Sequence, residues 1–342
     1  MVPAELSVRV REVQDRFGST LLNPSTLLDQ FAADVARDLQ RNPRELQSQY
    51  LYDPLGSSLF EAICRLPWYR ITRAEARLLT QHARDITALT LKHGAAQAEI
   101  VELGVGSGEK LATLVEALPP GTSATAHLID ISAAALDATV ERLRGVPQLT
   151  LARYQATYEQ GLDDIARAAG PAGMRLMLFL GSNIGNFAPP GAVRLLSAMR
   201  EAMRPGDLLL VGADLVKPAA DLILAYDDPL GVTAAFNRNL LVRINRELGG
   251  NFDLARFSHR AVWNEPAGRV EMHLVSLAQQ DVEIPAAEVH VRFERGDTIW
   301  TESSYKYSED GIAGLGARAR FAPVHQWIDE QARFALTLFT AL

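Results

Sequence analysis

Cysteine is almost missing from this 342-residue chain: Cys64 stands alone. A single thiol can form no internal disulfide and no thiolate-rich metal site. The seven histidines, His82, His93, His127, His259, His273, His290 and His325, are scattered without an HxxxH or HxH pair, so no metal is expected. Runs of lysine and arginine are also lacking. With 34 basic against 41 acidic residues the net charge is −7, which works against binding a phosphate backbone, and no nucleic-acid partner is expected. No apolar run approaches the roughly 18 residues that a membrane span needs. The opening MVPAELSVRVREVQDRFG lacks the apolar stretch of a signal peptide. These absences point to a soluble, cytoplasmic protein with no membrane partner and no obligate protein partner. Internal repeats and low-complexity tracts are absent too.

Apolar residues, by contrast, make up 48% of the chain, enough for a sizeable core, and the length suits roughly two domains. Residues 26–41 place apolar side chains at helical spacing after Pro24 and Ser25. Tyr50, Tyr52, Phe60, Trp68 and Tyr69 then fall within twenty residues, to pack a small core or to line a pocket. From residue 98 strand and helix alternate: AEIVELG, GEKLATLVEAL, SATAHLID, SAAALDATVERL, LTLARYQ, EQGLDDIARAA, MRLMLFLG, GAVRLLSAMREAM and GDLLLVGAD. Near-continuous apolar strands imply burial on both faces, as in a parallel sheet. After Lys217-Pro218 two helices (219–227 and 231–248) lead into strands near 256–264, 269–278, 286–294 and 299–307. A helix, FAPVHQWID and FALTLFTA close the chain, the last two suited to antiparallel strands of the earlier sheet.

The first parallel strand ends in Glu102-Leu103-Gly104-Val105-Gly106-Ser107-Gly108-Glu109-Lys110. Glycines there let the backbone approach a ligand while a helix N-terminus points at it. Counted from Gly104, a P-loop needs glycine where Glu109 stands, and a GxGxxG dinucleotide turn also fails at Glu109. ExGxGxG instead resembles the first motif of class I S-adenosylmethionine-dependent methyltransferases. Asp130 ends the next strand, either to take the ribose hydroxyls of an adenosine ligand or to cap the helix that follows. In LFLGSNIGNF, at the end of the fourth strand, Gly181 and Gly185 keep the backbone low and Asn186 offers an amide to an acceptor amine. The alternative for Asn186 is a turn-shaping role before Pro189-Pro190.

YLYDPLGSSLFE, RLPWYRITRAEARLL, ELGVGSGEK, FLGSNIGN, GADLVK, AYDDPLGVTAAFNRN, NRELGGNFDLARF, RVEMHL and TESSYKYS occur in order and spacing that resemble the histidine Nα-methyltransferases of ergothioneine biosynthesis. The resemblance runs from about residue 45 to the end of the chain. It implies an α/β fold: a class I, Rossmann-like methyltransferase sheet with a smaller α+β substrate-binding domain. The expected division gives 75–216 and 306–342 to the methyltransferase domain, 20–74 and 217–305 to the substrate domain. The implied reaction is trimethylation of the α-amine of L-histidine to hercynine, with S-adenosylmethionine as co-substrate.

Carried over by position, Gly104, Gly106, Lys110, Asp130, Thr157, Tyr158 and Gly181 are expected at the cofactor, and Asn186 at the substrate amine. Tyr69 and Tyr226 are expected at the amino and carboxylate end, Glu302 and Ser304 at the imidazole, and Met272, Phe236 and Tyr52 as neighbouring walls. Independently of the resemblance, Glu302 and Ser304 are two apart on an expected strand and so share a face. A solvated strand face remains the alternative for Glu302, and core packing for Met272. Thr157-Tyr158 departs from the family's Asp-Phe pair and removes a carboxylate from beside the adenine. Rival functions are methylation of another amino acid or small amine, methylation of a nucleic-acid amine, and a cofactor-binding module without turnover.

Overall fold

The computed structural model describes residues 9–11, 24–91, 97–146, 149–167 and 173–342. The chain begins with a short strand β1 (Arg9–Arg11), followed by α1 (Pro24–Leu39), β2 (Arg44–Glu45) and α2 (Pro54–Arg65). In α1 the buried Phe31, Val35 and Leu39 repeat every fourth residue, one apolar stripe. Asp53 caps α2, its carboxylate accepting from the Gly56 N–H at 2.7 Å, with Pro54 at the first helical position. After α3 (Ile71–Thr90) the alternation expected from sequence sets in: β3 (Gln97–Leu103), α4 (Glu109–Glu116), β4 (Ser123–Asp130), α5 (Ala133–Leu143) and β5 (Leu149–Gln155). It continues through α6 (Tyr158–Arg167), β6 (Arg175–Phe179), α7 (Pro189–Glu201) and β7 (Leu208–Asp214).

Helices α8 (Ala219–Tyr226) and α9 (Val232–Leu248) come next. Five strands follow: β8 (Phe257–Asn264), β9 (Arg269–Ser276), β10 (Gln280–Ile284), β11 (Val289–Phe293) and β12 (Thr298–Tyr305). The chain closes with α10 (Glu309–Arg318), β13 (Phe321–Asp329) and β14 (Phe334–Ala341). Three strands among the described residues were not anticipated, one of them β2, which pairs in parallel with β12. β1 adds in parallel to the edge of β5, and β10 forms a hairpin with β11.

The chain divides into two compact units, one of residues 71–215 and 307–342 together with β1, the other of 24–70 and 216–306. The first holds an eight-stranded sheet of order β1-β5-β4-β3-β6-β7-β14-β13. Its strands are parallel through β7, and β14 and β13 close it antiparallel, as expected for a class I methyltransferase sheet. Strand order reverses between β3 and β6, the switch point beyond which open α/β sheets bind ligands. Leu176–Phe179 of β6 and Leu208–Val211 of β7 are at most 5% exposed, which explains their unbroken apolar sequence. The second unit holds a four-stranded sheet of order β2-β12-β9-β8 with α8 and α9, as well as the β10–β11 hairpin. No helix among the described residues is long and apolar enough to cross a membrane.

Candidate active site

In the first unit the turn after β3 is built by close approach. Gly104 has φ 76°, and a Cβ there would lie 2.8 Å from both the Asn183 amide nitrogen and the Tyr158 hydroxyl. Glycine is required on both counts. Gly106 (φ 55°) faces open space, and Gly108 (φ 74°) precedes the first residue of α4. Asp130 reaches back over this turn: Oδ2 accepts from Val105 N–H at 3.0 Å and Oδ1 from Ser132 N–H at 2.9 Å. It is not the helix cap, because Ser132 takes that role by accepting from Ala135 N–H. Burial pushes the Asp130 carboxyl above its ordinary range, and these backbone donors pull it back.

Below the turn lie two acidic groups: Glu102, which opens the ExGxGxG motif, and Glu75, which the sequence did not single out. Glu75 on α3 is fully buried, accepts from Gly181 N–H at 2.7 Å and meets Lys110 Nζ at 2.7 Å. Gly212 on β7 makes room for it, since a Cβ there would sit 2.0 Å from Glu75 Oε1. Glu102 is also buried, and its Oε2 finds no hydrogen-bond partner among the described residues. Desolvation pushes its carboxyl up to about 8, against the pull of Lys110. RAEARLL reads as an ordinary helix face, so only the pairing with Gly212 could have exposed Glu75.

Asn186 ends a single 3₁₀ turn, Asn183–Asn186, which backbone bonds such as Gly185 N–H to Ser182 O (2.9 Å) hold. Its own amide makes no hydrogen bond to a described residue, so the turn-shaping alternative has no support from its side chain. Ser182 is held at φ 59° with its Oγ accepting from Asp214 N–H at 3.0 Å. Tyr158 packs its ring edge-on against Phe179 at 5.6 Å. Thr157 is committed to α6: its Oγ1 accepts from Gln160 N–H at 3.3 Å while Gln160 Oε1 accepts from Thr157 N–H at 3.2 Å. The two contacts form a reciprocal capping box at the start of α6.

In the second unit the expected substrate residues converge from five separate segments. Tyr52, Phe60 and Phe236 form one aromatic cluster with centroids 5.5–5.9 Å apart. Phe60 continues to Tyr69 at 6.2 Å, and Tyr69 to Tyr226 at 6.2 Å. Phe60 was legible as an aromatic but not as a member of the site. On β12, Glu302 lies opposite Met272 and Ser304 opposite Val270, so all four share one sheet face. Glu302 is half-buried, and its carboxylate has no hydrogen-bond or ion-pair partner among the described residues. Burial pushes it up to about 7, and Lys306 draws it down. Tyr226 donates to Ser304 Oγ at 2.7 Å. Lys306, missed from sequence, extends the period-two series 302, 304, 306 and is only 6% exposed.

A β-bulge between Trp300 and Glu302 leaves Thr301 as an extra residue in β12. Its hydroxyl donates to Asn237 Oδ1 at 2.7 Å, and Asn237 Nδ2 faces His273 O and His259 Nδ1. His259 Nε2 in turn donates to the Tyr226 carbonyl at 2.8 Å. Burial holds His259 below its ordinary range, in the neutral form that this arrangement needs.

No group of three or more potential metal ligands occurs among the described residues. The close backbone approach at Gly104 and the Asp130 carboxylate beside it fit an adenosine-bearing ligand.

Comparison with known proteins identifies the family. Residues 31–341 match the model of the family described as histidine-specific, S-adenosylmethionine-dependent methyltransferases. The chain is 40% identical over 308 residues to the histidine N-alpha-methyltransferase of Mycobacterium tuberculosis, covering 89% of this chain and 93% of that one. Identity to the histidine N-alpha-methyltransferase of Mycolicibacterium smegmatis is 36% over 307 residues, with the same coverage, 89% and 93%. Ergothioneine biosynthesis protein 1 of Neurospora crassa is 29% identical over 289 residues, covering 83% of this chain and 32% of that longer one. The chain belongs to the histidine-specific, S-adenosylmethionine-dependent methyltransferase family.

Proposed function

We infer that the protein transfers three methyl groups in succession to the α-amine of L-histidine, forming hercynine in ergothioneine biosynthesis. The observation that carries the reading is the face of β12 and β9 on which Glu302, Ser304 and Met272 meet. One carboxylate and one hydroxyl match the two ring nitrogens of an imidazole, and Met272 supplies an apolar wall. S-adenosylmethionine, when bound, supplies the electrophilic methyl group. Gly104, Gly106, Lys110, Asp130, Thr157, Tyr158 and Gly181 are assigned to holding it in the first unit, with Asp130 taking ribose hydroxyls.

In-line transfer to nitrogen depends on aiming the lone pair, so orientation supplies most of the rate. Asn186 is assigned to the amine, with an unengaged amide that can accept an N–H. Tyr69 and Tyr226 are assigned to the amino and carboxylate end, with Tyr52 and Phe236 packing beside them. Burial raises the Tyr69 phenol well above its ordinary range, so it serves as a hydrogen-bond donor and not as a base. The amine proton leaves to water before each transfer, and the series stops at the trimethylammonium because no lone pair remains. Incubating the protein with histidine and S-adenosylmethionine is expected to yield a product heavier by three methyl groups. Methylation of another amino acid with none on histidine would falsify the substrate assignment.

A further inference from the structure

Lys306 is buried and enters no part of the reaction just described. Its Nζ lies 2.8 Å from Ser304 Oγ, 2.8 Å from the Tyr226 hydroxyl and 4.7 Å above the centre of the Tyr226 ring. Ser304 and Tyr226 are themselves 4% and 7% exposed, so water does not compete for these contacts. An ammonium has only hydrogens to offer, so both oxygens accept from Lys306. The third side of the triangle, 2.7 Å between the two hydroxyls, is donated by the phenol, the stronger acid. Ser304 Oγ therefore accepts twice, which fills both of its lone pairs, and its one hydrogen must point to another acceptor. A buried lysine is expensive to keep, and the ring and two oxygens around it supply the compensation.

We propose that Lys306 determines ring specificity by making the Ser304 hydroxyl an obligate donor. The side-chain end of the site then takes a neutral five-membered ring with one N–H, given to Glu302, and one bare nitrogen, which accepts from Ser304. A ring without an acceptor nitrogen leaves the serine hydrogen buried and unpaired. A ring with two N–H groups meets that hydrogen head-on. The same ammonium favours the ionised, acceptor-only form of Glu302, so one charge orders both halves of the recognition pair. Lys306 is thus a positioning residue that acts through Ser304, and the proposal rests on histidine being the substrate.

The test compares Lys306→Met and Lys306→Arg with the unmodified protein, using L-histidine as substrate and L-3-(2-thienyl)alanine as competitor. Thienylalanine keeps the ring size but has no ring nitrogen, and its inhibition constant requires no turnover. Lys306→Met is expected to raise KM for histidine about 30-fold, with kcat changing far less, as a charge-assisted contact is lost. The inhibition constant of thienylalanine should stay within about threefold, and Lys306→Arg should recover part of the histidine KM. Equal loss for both ligands, or an unchanged histidine KM, overturns the proposal. In a Ser304→Ala background, Lys306→Met should add less than about threefold, and full additivity also overturns it. Affinity for S-adenosylmethionine monitors the fold. If Lys306→Met loses it, Lys306→Gln replaces Met under the same criteria. An unmodified protein inactive on histidine overturns the proposed function and this inference together, whereas activity with unshifted discrimination overturns this inference alone.

Discussion

In the first unit several polar groups around the glycine turn are saturated by the chain itself, although Glu102 Oε2 and the Asn186 amide have no partner among the described residues. Asp130 holds two backbone amides, and Glu75 holds Gly181 N–H and Lys110. In the second unit the Glu302 carboxylate and the Tyr69 hydroxyl make no hydrogen bond to a described residue. The first arrangement is local, with most of its expected contacts in three short loops, while the second draws on α2, α8, α9, β9 and β12. A ligand common to many enzymes can be held by backbone geometry that tolerates little change. A particular amino-acid side chain needs polar groups left waiting for it, and those must be assembled at a distance.

The largest effect that would sharpen this contrast is at Glu302. Glu302→Ala should lower kcat/KM for histidine by about 10⁴-fold, because a site built to bond a ring N–H loses that bond. Affinity for S-adenosylmethionine, measured by calorimetry, should not change, and a parallel loss there would break the division of labour. Asn186→Ala is expected to cost about 100-fold in kcat through lost orientation, with both affinities nearly intact. Gly104→Ala reverses the pattern. Strain at φ 76° and a Cβ 2.8 Å from two polar atoms should weaken cofactor affinity by about 30-fold and spare histidine affinity.

The smallest effect is on stability. Glu102 and Glu302 sit at about 8 and about 7 in the folded protein, above the ordinary glutamate value of 4.5. The folded state therefore holds more protons than the unfolded state between those limits, and stability falls as pH rises from about 5 to 8. Glu102→Gln should flatten that slope and raise the midpoint at pH 8 by about 2 °C, as read by thermal unfolding at both pH values. An unchanged slope would place the buried charge elsewhere.

How much of this was readable in the sequence follows the same contrast. The parallel strands announced themselves because burial on both faces leaves an unbroken apolar run, as in Leu176–Leu180. The glycine turn was equally plain, since the spacing of Gly104, Gly106 and Gly108 is itself the chemistry. β10 escaped because QDVEI alternates buried and exposed residues over only five positions beside another short strand. Lys306 escaped because a lysine at a strand end reads as solvated, and nothing nearby in sequence reveals Tyr226 above it. Asp130 was open to two readings, and only the Ser132 cap separates them.

The single inserted residue in β12 has a consequence that apolar packing could not supply. From the Asn237 amide through His259 to the Tyr226 carbonyl every hydrogen has one permitted direction, while the Thr301 hydroxyl is offered to both Asn237 Oδ1 and the Met272 carbonyl. The carbonyls of His273 and Tyr226 can only accept, which fixes the Asn237 amide and the His259 tautomer in turn. Adding a proton to His259 would set two donors face to face, and turning the amide to relieve them would forfeit the bond to the His273 carbonyl. The strand that meets the ring and the helix end that bears Tyr226 are thus keyed to each other like teeth of a ratchet, engaged together or released together.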